Sequence, residues 1–514
     1  MNRWRALAAL LVFAGALAFR LPKLETRPLH NDEAVNAVKV AELWQQGRYA
    51  YDPDEYHGPT LHYATLPFLS MSGARGPGEL RDGTLRLAPV LFGAGLILLL
   101  LLFLGGLSAH ALAWSALFIA ISPAMVFYSR YFIHEMLLVF FAALTLGTGW
   151  RYTRNPAAGW ALLAGAGLGL MFATKETFVI TVVAMGAAGL ASVFSLSNRP
   201  ASLRDLLRRV RWRDVGLAFA AAFIIWLLFF SSFFSNFAGL LDSARTYLPW
   251  LKRAAGHSPH VHPWYFYLQR LGWFHPVKGP AWSEGLILVL AALGAITSFR
   301  RKGSPLVRFL VVYTFALTAA YSAISYKTPW CLLSFFHGMI LLAGFGAAAL
   351  VEQIRAGALR IGMITLLLAF SSQLAVQAWR ASFVYASDRR NPYVYAQTVP
   401  DIFNLVRRAE DLARVSPAAF ETVIKVIAPQ SDYWPLPWYL RRFDHIGWYE
   451  KVPEDPYAPI IIVSSKMDAR LDEKSERKWI MTGLTELRPG QFFELYVELA
   501  LWTKYVETLP PEPD

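Results

Sequence analysis

The sequence predicts an α-helical polytopic membrane protein of about eleven spans, with a soluble α/β domain at its C-terminal end. Three observations predict this. The chain of 514 residues is 55% hydrophobic and only 17% charged, with a mean hydropathy of +0.36, which is unusual for a water-soluble protein of its size. Apolar runs of about 17–21 residues, the length a helix needs to cross a bilayer, recur over the first three quarters. After Gln377 the composition changes to charged, proline-containing sequence without long apolar runs.

In chain order the spans fall at 5–20, 85–104, 108–127, 131–149, 157–173, 177–195, 214–233, 284–299, 306–324, 331–350 and 358–378. The first apolar run, behind Arg3 and Arg5, also has the outline of a signal peptide. It is followed by Arg20-Leu21-Pro22-Lys23 rather than a small-residue cleavage site, and reads as an uncleaved helix. With the N-terminus inside, the inside loops carry Arg151 and Arg154, then Arg199, Arg204, Arg208, Arg209, Arg211 and Arg213, then Arg300, Arg301 and Lys302, then Arg355. The loop at 105–107 has no Lys or Arg. The short outside loops carry single basic residues, Arg130, Lys175 and Lys327. Several independent loops thus obey the positive-inside rule. The net charge of +13 is accounted for by topology and anionic lipid, not by nucleic acid. Cys331 is the one cysteine, so no internal disulfide and no multi-cysteine metal site can form.

Two outside loops are long, 21–84 and 234–283. Within them Asn36–Gln46 and Tyr265–Trp273 have the helical spacing of amphipathic segments lying on the membrane surface. Residues 1–379 therefore form the transmembrane domain and 380–514 a separate α/β domain, placed outside by the odd number of spans. Its expected elements are a helix at Tyr393–Arg414, strands at Thr422–Ala428, Pro459–Ser464 and Phe492–Leu499, and a helical stretch at Tyr433–Arg442. Gly165, Gly167 and Gly169 lie inside a span and predict close helix packing.

The residues that carry chemistry collect at the outer ends of the spans. His30-Asn31-Asp32-Glu33-Ala34 follows the first span, and two adjacent carboxylates there are costly. Arg130, His134 and Glu135 lie between spans three and four, Lys175 and Glu176 between five and six, and Lys327 between nine and ten. Any one of these alone is explained by snorkelling or local pairing. Four loops supplying acids and bases to one leaflet predict a shared site. Asp32, Glu33 or Glu135 would be the general base. Lys175, Lys327 and Arg130 would clamp a phosphate, and His57, His62, Tyr63, His134, Glu176 and Trp330 would contact substrate. A divalent metal ion on Asp32, Glu33, His57, His62, His134 and Glu135 is the rival reading. His257, His260 and His262 form a second candidate metal cluster, or a polar loop.

These motifs resemble the GT-C superfamily of integral-membrane glycosyltransferases, which includes protein O-mannosyltransferases and lipid A aminoarabinose transferases. The first-loop acid of that family matches Asp32-Glu33. Its proline motif is similar to His57-Gly58-Pro59-Thr60-Leu61-His62-Tyr63, and its second acidic position matches Glu135. Thr174-Lys175-Glu176, Tyr326-Lys327-Thr328-Pro329-Trp330 and Asp432-Tyr433-Trp434-Pro435-Leu436-Pro437-Trp438-Tyr439 resemble a bacterial and archaeal branch named for association with flippase activity. The resemblance implies a GT-C-like fold in the cytoplasmic (inner) membrane. It implies inverting transfer of a sugar from a polyprenyl-phosphate-linked donor to a glycan, lipid or protein acceptor on the outer face. It also implies Asp32, rather than Glu33, as the base. Aminoarabinose transferases have a Lys near the proline motif where this chain has His57, so Lys175 or Lys327 would hold the phosphate instead. A lipid-linked-sugar flippase or transport accessory is the competing reading. Such a protein should show paired repeats and broken helices near the midplane.

Overall fold

A computed structural model describes residues 3–54, 57–194, 210–250, 260–300 and 304–510. Tyr56, His257, Arg301, Lys302 and the arginines at 199, 204, 208 and 209 lie outside the described residues. The helices run in order as α1 (Arg3–Arg20), α2 (Asn31–Gln46), α3 (Thr60–Met71), α4 (Asp82–Leu99), α5 (Ala109–Ile121), α6 (Pro123–Ser129), α7 (Glu135–Arg154), α8 (Ala158–Phe172), α9 (Phe178–Phe194) and α10 (Trp212–Phe230). The second long loop holds α11 (Ala238–Arg245) and α12 (Phe266–Gly272). The bundle closes with α13 (Gly285–Arg300), α14 (Pro305–Ala323), α15 (Leu333–Gln353) and α16 (Gly357–Trp379). A helix lies over every predicted span. Among the described residues, five helical segments are by themselves long and apolar enough to cross a membrane, and α5 with α6 makes a sixth if the bent pair is one span. The pair α13–α15 is close because Gly294 and Gly346 meet backbone: a Cβ on Gly346 would stand 2.1 Å from the Leu290 carbonyl oxygen. Gly165 and Gly169 do the same for α8 against α10, at Ala218 and Ala222.

The third span is broken, where the sequence predicts a continuous helix. The axis turns by 56° between α5 and α6. Pro123 has no N–H for the Ile119 carbonyl, and Ser122 caps the new helix through Met125 N–H at 3.2 Å. The stranded carbonyls are taken by the fully buried Arg20 at the end of α1. Its Nη2 donates to Ile119 O at 2.7 Å and its Nη1 to Ala120 O at 3.0 Å. The freed Ala124 N–H donates to Glu284 at 2.8 Å. Satisfied backbone at this depth is what makes the break tolerable.

After α16 come α17 (Ile402–Val415), β1 (Ile424–Ile427), α18 (Leu436–Tyr439), β2 (Ile446–Tyr449), β3 (Ile460–Ser464), α19 (Leu471–Lys474), β4 (Trp479–Arg488), β5 (Gln491–Glu498) and α20 (Leu499–Val506). The strand order is β2-β1-β3-β5-β4. The first three strands are parallel, and β5 is antiparallel to both neighbours. This α/β unit rests on the first long loop. Trp438 Nε1 and Tyr439 Oη donate to the two oxygens of Asp82 at 2.8 and 2.7 Å, and the Leu29 N–H reaches Tyr439 Oη at 2.7 Å. Gln397 donates to the Pro28 carbonyl at 3.0 Å. One hydrophobic cluster runs from α2, α3 and α7 into the sheet.

Candidate active site

The acidic motif opens α2. His30 is the N-cap: its Nδ1 accepts from the Asp32 N–H at 3.1 Å, while Glu33 accepts from the His30 N–H at 2.9 Å. This reciprocal pairing is a capping box built on histidine. Gly47 ends the helix in the left-handed conformation, φ 66°.

The two carboxylates then part company. Glu33 is fully buried between two guanidiniums, Arg27 at 2.7 Å and Arg86 at 2.9 Å, and also accepts from the Phe132 N–H at 2.9 Å. Burial pushes its pKa up, but the charges and hydrogen bonds of Arg27 and Arg86 reverse this and hold it well below the usual carboxylate range. Glu33 thus ties α2 to α4, to the loop after α1 and to the segment before α7, and it is not among the residues lining the cavity. The Asp32 side chain is 51% exposed and lines a cavity of about 120 Å³ with His57, Lys175, Glu176, Tyr326, Thr328, Trp330 and Cys331. The far wall is apolar and aromatic, with Ile180, Trp250, Tyr267, Tyr321 and Ile324.

His57 reaches this cavity because Gly58 lies directly on the α8–α9 turn. Gly58 N–H and Thr60 N–H donate to the carbonyls of Thr174 and Ala173, both at 3.1 Å. A Cβ on Gly58 would stand 2.2 Å from Ala173 O. The contact sets His57 Nδ1 2.9 Å from the Glu176 carboxylate. Burial raises Glu176, but the neighbouring His57 and Lys175 bring it below its ordinary value. Lys175 forms an ion pair with Glu135. Burial lowers its pKa, and the Glu135 carboxylate more than reverses that, so the ammonium stays charged.

The structure separates several other predicted site residues from the cavity. Arg130 donates to the carbonyls of Arg20, Pro22 and Lys23, closing the C-terminal end of α1, and lies over the Phe383 ring. Lys327 donates to the carbonyls of Ile324 and His262. Residues 326–328 are extended, so alternate side chains point oppositely: Tyr326 and Thr328 face the cavity and Lys327 faces away. Tyr63 donates or accepts with Ser232 at 2.8 Å, outside the cavity lining. His62 is fully buried behind His57, its ring 4.8 Å from Tyr49 and 5.5 Å from His134. Burial takes its pKa down to about 3, so it is neutral. His134 is buried too, and its Nε2 donates to the Gly58 carbonyl at 3.0 Å. Glu135 reaches the cavity only through Lys175.

The same contacts bear on the metal reading. Among the described residues no three His, Cys, Asp or Glu side chains stand where one ion could be shared. Glu33 sits in its arginine cage, His134 on a carbonyl and Glu135 on Lys175, while Asp32 and His57 line the cavity. In the second cluster, His260 and His262 share the Tyr395 hydroxyl at 2.8 and 3.1 Å. The sequence does not foretell the aromatic wall. Tyr267, Tyr321 and Trp250 sit in or beside helices, where an aromatic reads as packing or as an interfacial anchor.

The fold is the GT-C-like membrane fold that the motifs anticipate. A family model described as dolichyl-phosphate-mannose-protein mannosyltransferase matches residues 62–240. No curated protein matches the chain. Among solved structures, ArnT from Cupriavidus metallidurans bound to undecaprenyl phosphate is 16% identical with a TM-score of 0.62, over 96% of this chain and 98% of that one. The archaeal oligosaccharyltransferase AglB from Archaeoglobus fulgidus, in complex with an inhibitory peptide and a dolichol-phosphate, is 13% identical with a TM-score of 0.57, over 90% and 70%. The arabinofuranosyltransferase AftD from Mycobacteria is 13% identical with a TM-score of 0.50, over 97% and 40%.

Proposed function

We propose that this protein transfers a sugar from a polyprenyl-phosphate-linked donor to an acceptor hydroxyl, with inversion, at the outer face of the cytoplasmic membrane. The observation that carries the reading is the asymmetry of the cavity. It has one open carboxylate, Asp32, a flank formed by the Lys175 ammonium and the His57 ring, and an apolar aromatic wall beside them. Asp32 takes the proton of the acceptor hydroxyl as its oxygen bonds to the anomeric carbon. The bond from that carbon to the phosphate oxygen breaks, and the polyprenyl phosphate leaves with the electron pair. The Lys175 ammonium stabilises the charge that develops on it, with the His57 ring beside it as a hydrogen-bond partner. A single displacement inverts the anomeric centre. The solved ArnT and AglB structures, with undecaprenyl phosphate and dolichol-phosphate respectively, support the lipid class of the donor. The acceptor is a glycan, lipid or protein.

The test is transfer by the purified protein in liposomes from a panel of polyprenyl-phosphate sugars. Lys175→Ala should weaken donor use by about 1.5–3 kcal/mol, one charge-assisted contact. Lys327→Ala should leave donor KM unchanged, since its ammonium already holds two carbonyls. Wild-type donor kinetics in Lys175→Ala would remove the phosphate assignment, and no turnover with any polyprenyl-phosphate sugar would remove the reaction.

A further inference from the structure

The proposed reaction gives no role to the motif Asp432–Tyr439, which lies in the α/β unit far along the chain from the acidic loop. Its polar groups converge on the residues just before Asp32 and on Asp82 of α4. Tyr439 accepts from the Leu29 N–H at 2.7 Å, and Trp438 and Tyr439 hold Asp82. The amide of Asn31, next to Asp32, donates to the Trp434 carbonyl at 3.1 Å when oriented with its oxygen toward Arg488, from which it then accepts. Arg488, the last residue of β4, is 9% exposed. It is itself fixed at its other nitrogens: Nη2 to the Asp432 carbonyl and carboxylate at 2.7 and 2.8 Å, and Nε to Gln491 at 2.8 Å.

The first turn of α2 is therefore held from two sides. Glu33 ties it to the arginines of the membrane part, and Asn31 ties it to the α/β unit. Between these anchors the Asp32 carboxylate is half exposed, and the His30 ring nitrogen beside it stands at 3.7 Å, too far for a hydrogen bond. A general base with so little to hold it depends on the backbone that carries it, and constellations of this kind need about 0.5 Å of precision. Without the Asn31 contacts the turn is held by Glu33 on one side of Asp32 and, on the other, only as far away as the Leu29 N–H on Tyr439.

We propose that Arg488, acting through Asn31, is a positioning residue for Asp32, so that the α/β unit forms part of the catalytic centre. This rests on the reading of Asp32 as the base. Arg488→Met should lower kcat at least about tenfold, in line with the penalty for misplacing a reacting group, and leave donor KM unchanged. Asn31→Ala should do the same. The double variant should lower kcat no further than either single one, because the Asn31–Arg488 hydrogen bond is already lost in both. Lys466→Ala, which removes the exposed partner of the same Asp432 at 2.8 Å, should keep wild-type kcat. Hydrogen exchange of the amides at 30–33 should rise in Arg488→Met, with the bundle helices unchanged. Wild-type kcat in Arg488→Met, or additive losses in the double variant, would overturn the proposal. If the wild-type protein transfers no sugar, the reaction fails but exchange still decides the anchoring. Faster exchange at 30–33 would support it, and unchanged exchange would overturn it.

Discussion

Asp32 and Glu33 differ in environment because neighbouring residues on a helix point about 100° apart. One carboxylate turns into the arginine cage and the other toward the cavity, so their substitutions should fail differently. Asp32→Asn keeps the size and removes the proton acceptor, and should lower turnover on the order of 10²–10⁴-fold with donor binding and folding retained. Glu33→Gln strands two buried guanidiniums and should cost about 3–5 kcal/mol of stability, read as a lowered unfolding midpoint. A normal midpoint in Glu33→Gln with abolished turnover would reverse the two roles. The pH dependence follows from the same cage. The folded-state pKa of Glu33 is depressed, so its stabilisation is complete above the ordinary carboxylate range and is lost progressively as pH falls below about 4.5. In Glu33→Gln that part of the acid-side loss of stability should disappear. The placing of Glu33 beside Asp32, just beyond a span, is legible in the sequence. The identity of its partners, Arg27 and Arg86, is not, because Arg86 arrives from 53 residues away. Lys327 departs from its expected role for a local reason: in an extended run, one residue decides which side a side chain faces.

At the scale of elements, the spans are readable because about twenty apolar residues in a row have few other uses, and the breaks in pattern are harder. The kink at Ser122-Pro123 lies inside an apolar run, and only the proline signals it. Helix α3 reads in the sequence as a motif rather than a helix, since Pro67 interrupts its interior. In the α/β unit β1, β3 and β5 stand out as apolar runs. By contrast β2 is four residues long, and β4 carries register shifts between Met481 and Gly483 and between Glu486 and Arg488 that blur its alternation. The expected helix at 393–414 begins only at Ile402. The element-scale prediction concerns Gly58, which lets the start of α3 lie on the α8–α9 turn. In Gly58→Ala the new methyl meets the Ala173 carbonyl, a backbone atom that cannot step aside, and the α3 start must lift. The cost should be about 1–3 kcal/mol of overpacking, with a loss of turnover as His57 leaves Glu176. Full activity and an unchanged melting midpoint would show that the turn yields without consequence.

At the scale of the whole molecule, function depends on how the bundle and the α/β unit meet. Composition marks where one ends and the other begins, but their contact joins residues more than 350 apart, as in Asp82 with Trp438 and Tyr439, and no local pattern foretells it. Asp82→Ala would strand two buried donors at about 1–3 kcal/mol each, and limited proteolysis should then release the α/β unit sooner than in the wild type. An unchanged digestion pattern would place the strength of the joint in the shared hydrophobic cluster instead. This contact also makes topology a test of the entire scheme. The positive-inside rule predicts that the short loops carrying Arg154, Arg209 and Arg301 lie inside, and an odd number of spans would then put everything after Gln377 outside. The hydrogen bonds from Leu29, Pro28 and Asp82 to the α/β unit require that the first long loop share its side of the membrane. Reporter fusions after Arg154, Arg209 and Arg301 should therefore read cytoplasmic. A fusion within residues 30–60 and one beyond 380 should both read external. A cytoplasmic reading for the C-terminal fusion alone is incompatible with the contact between the acidic loop and the sheet, and would take the proposed catalytic centre apart.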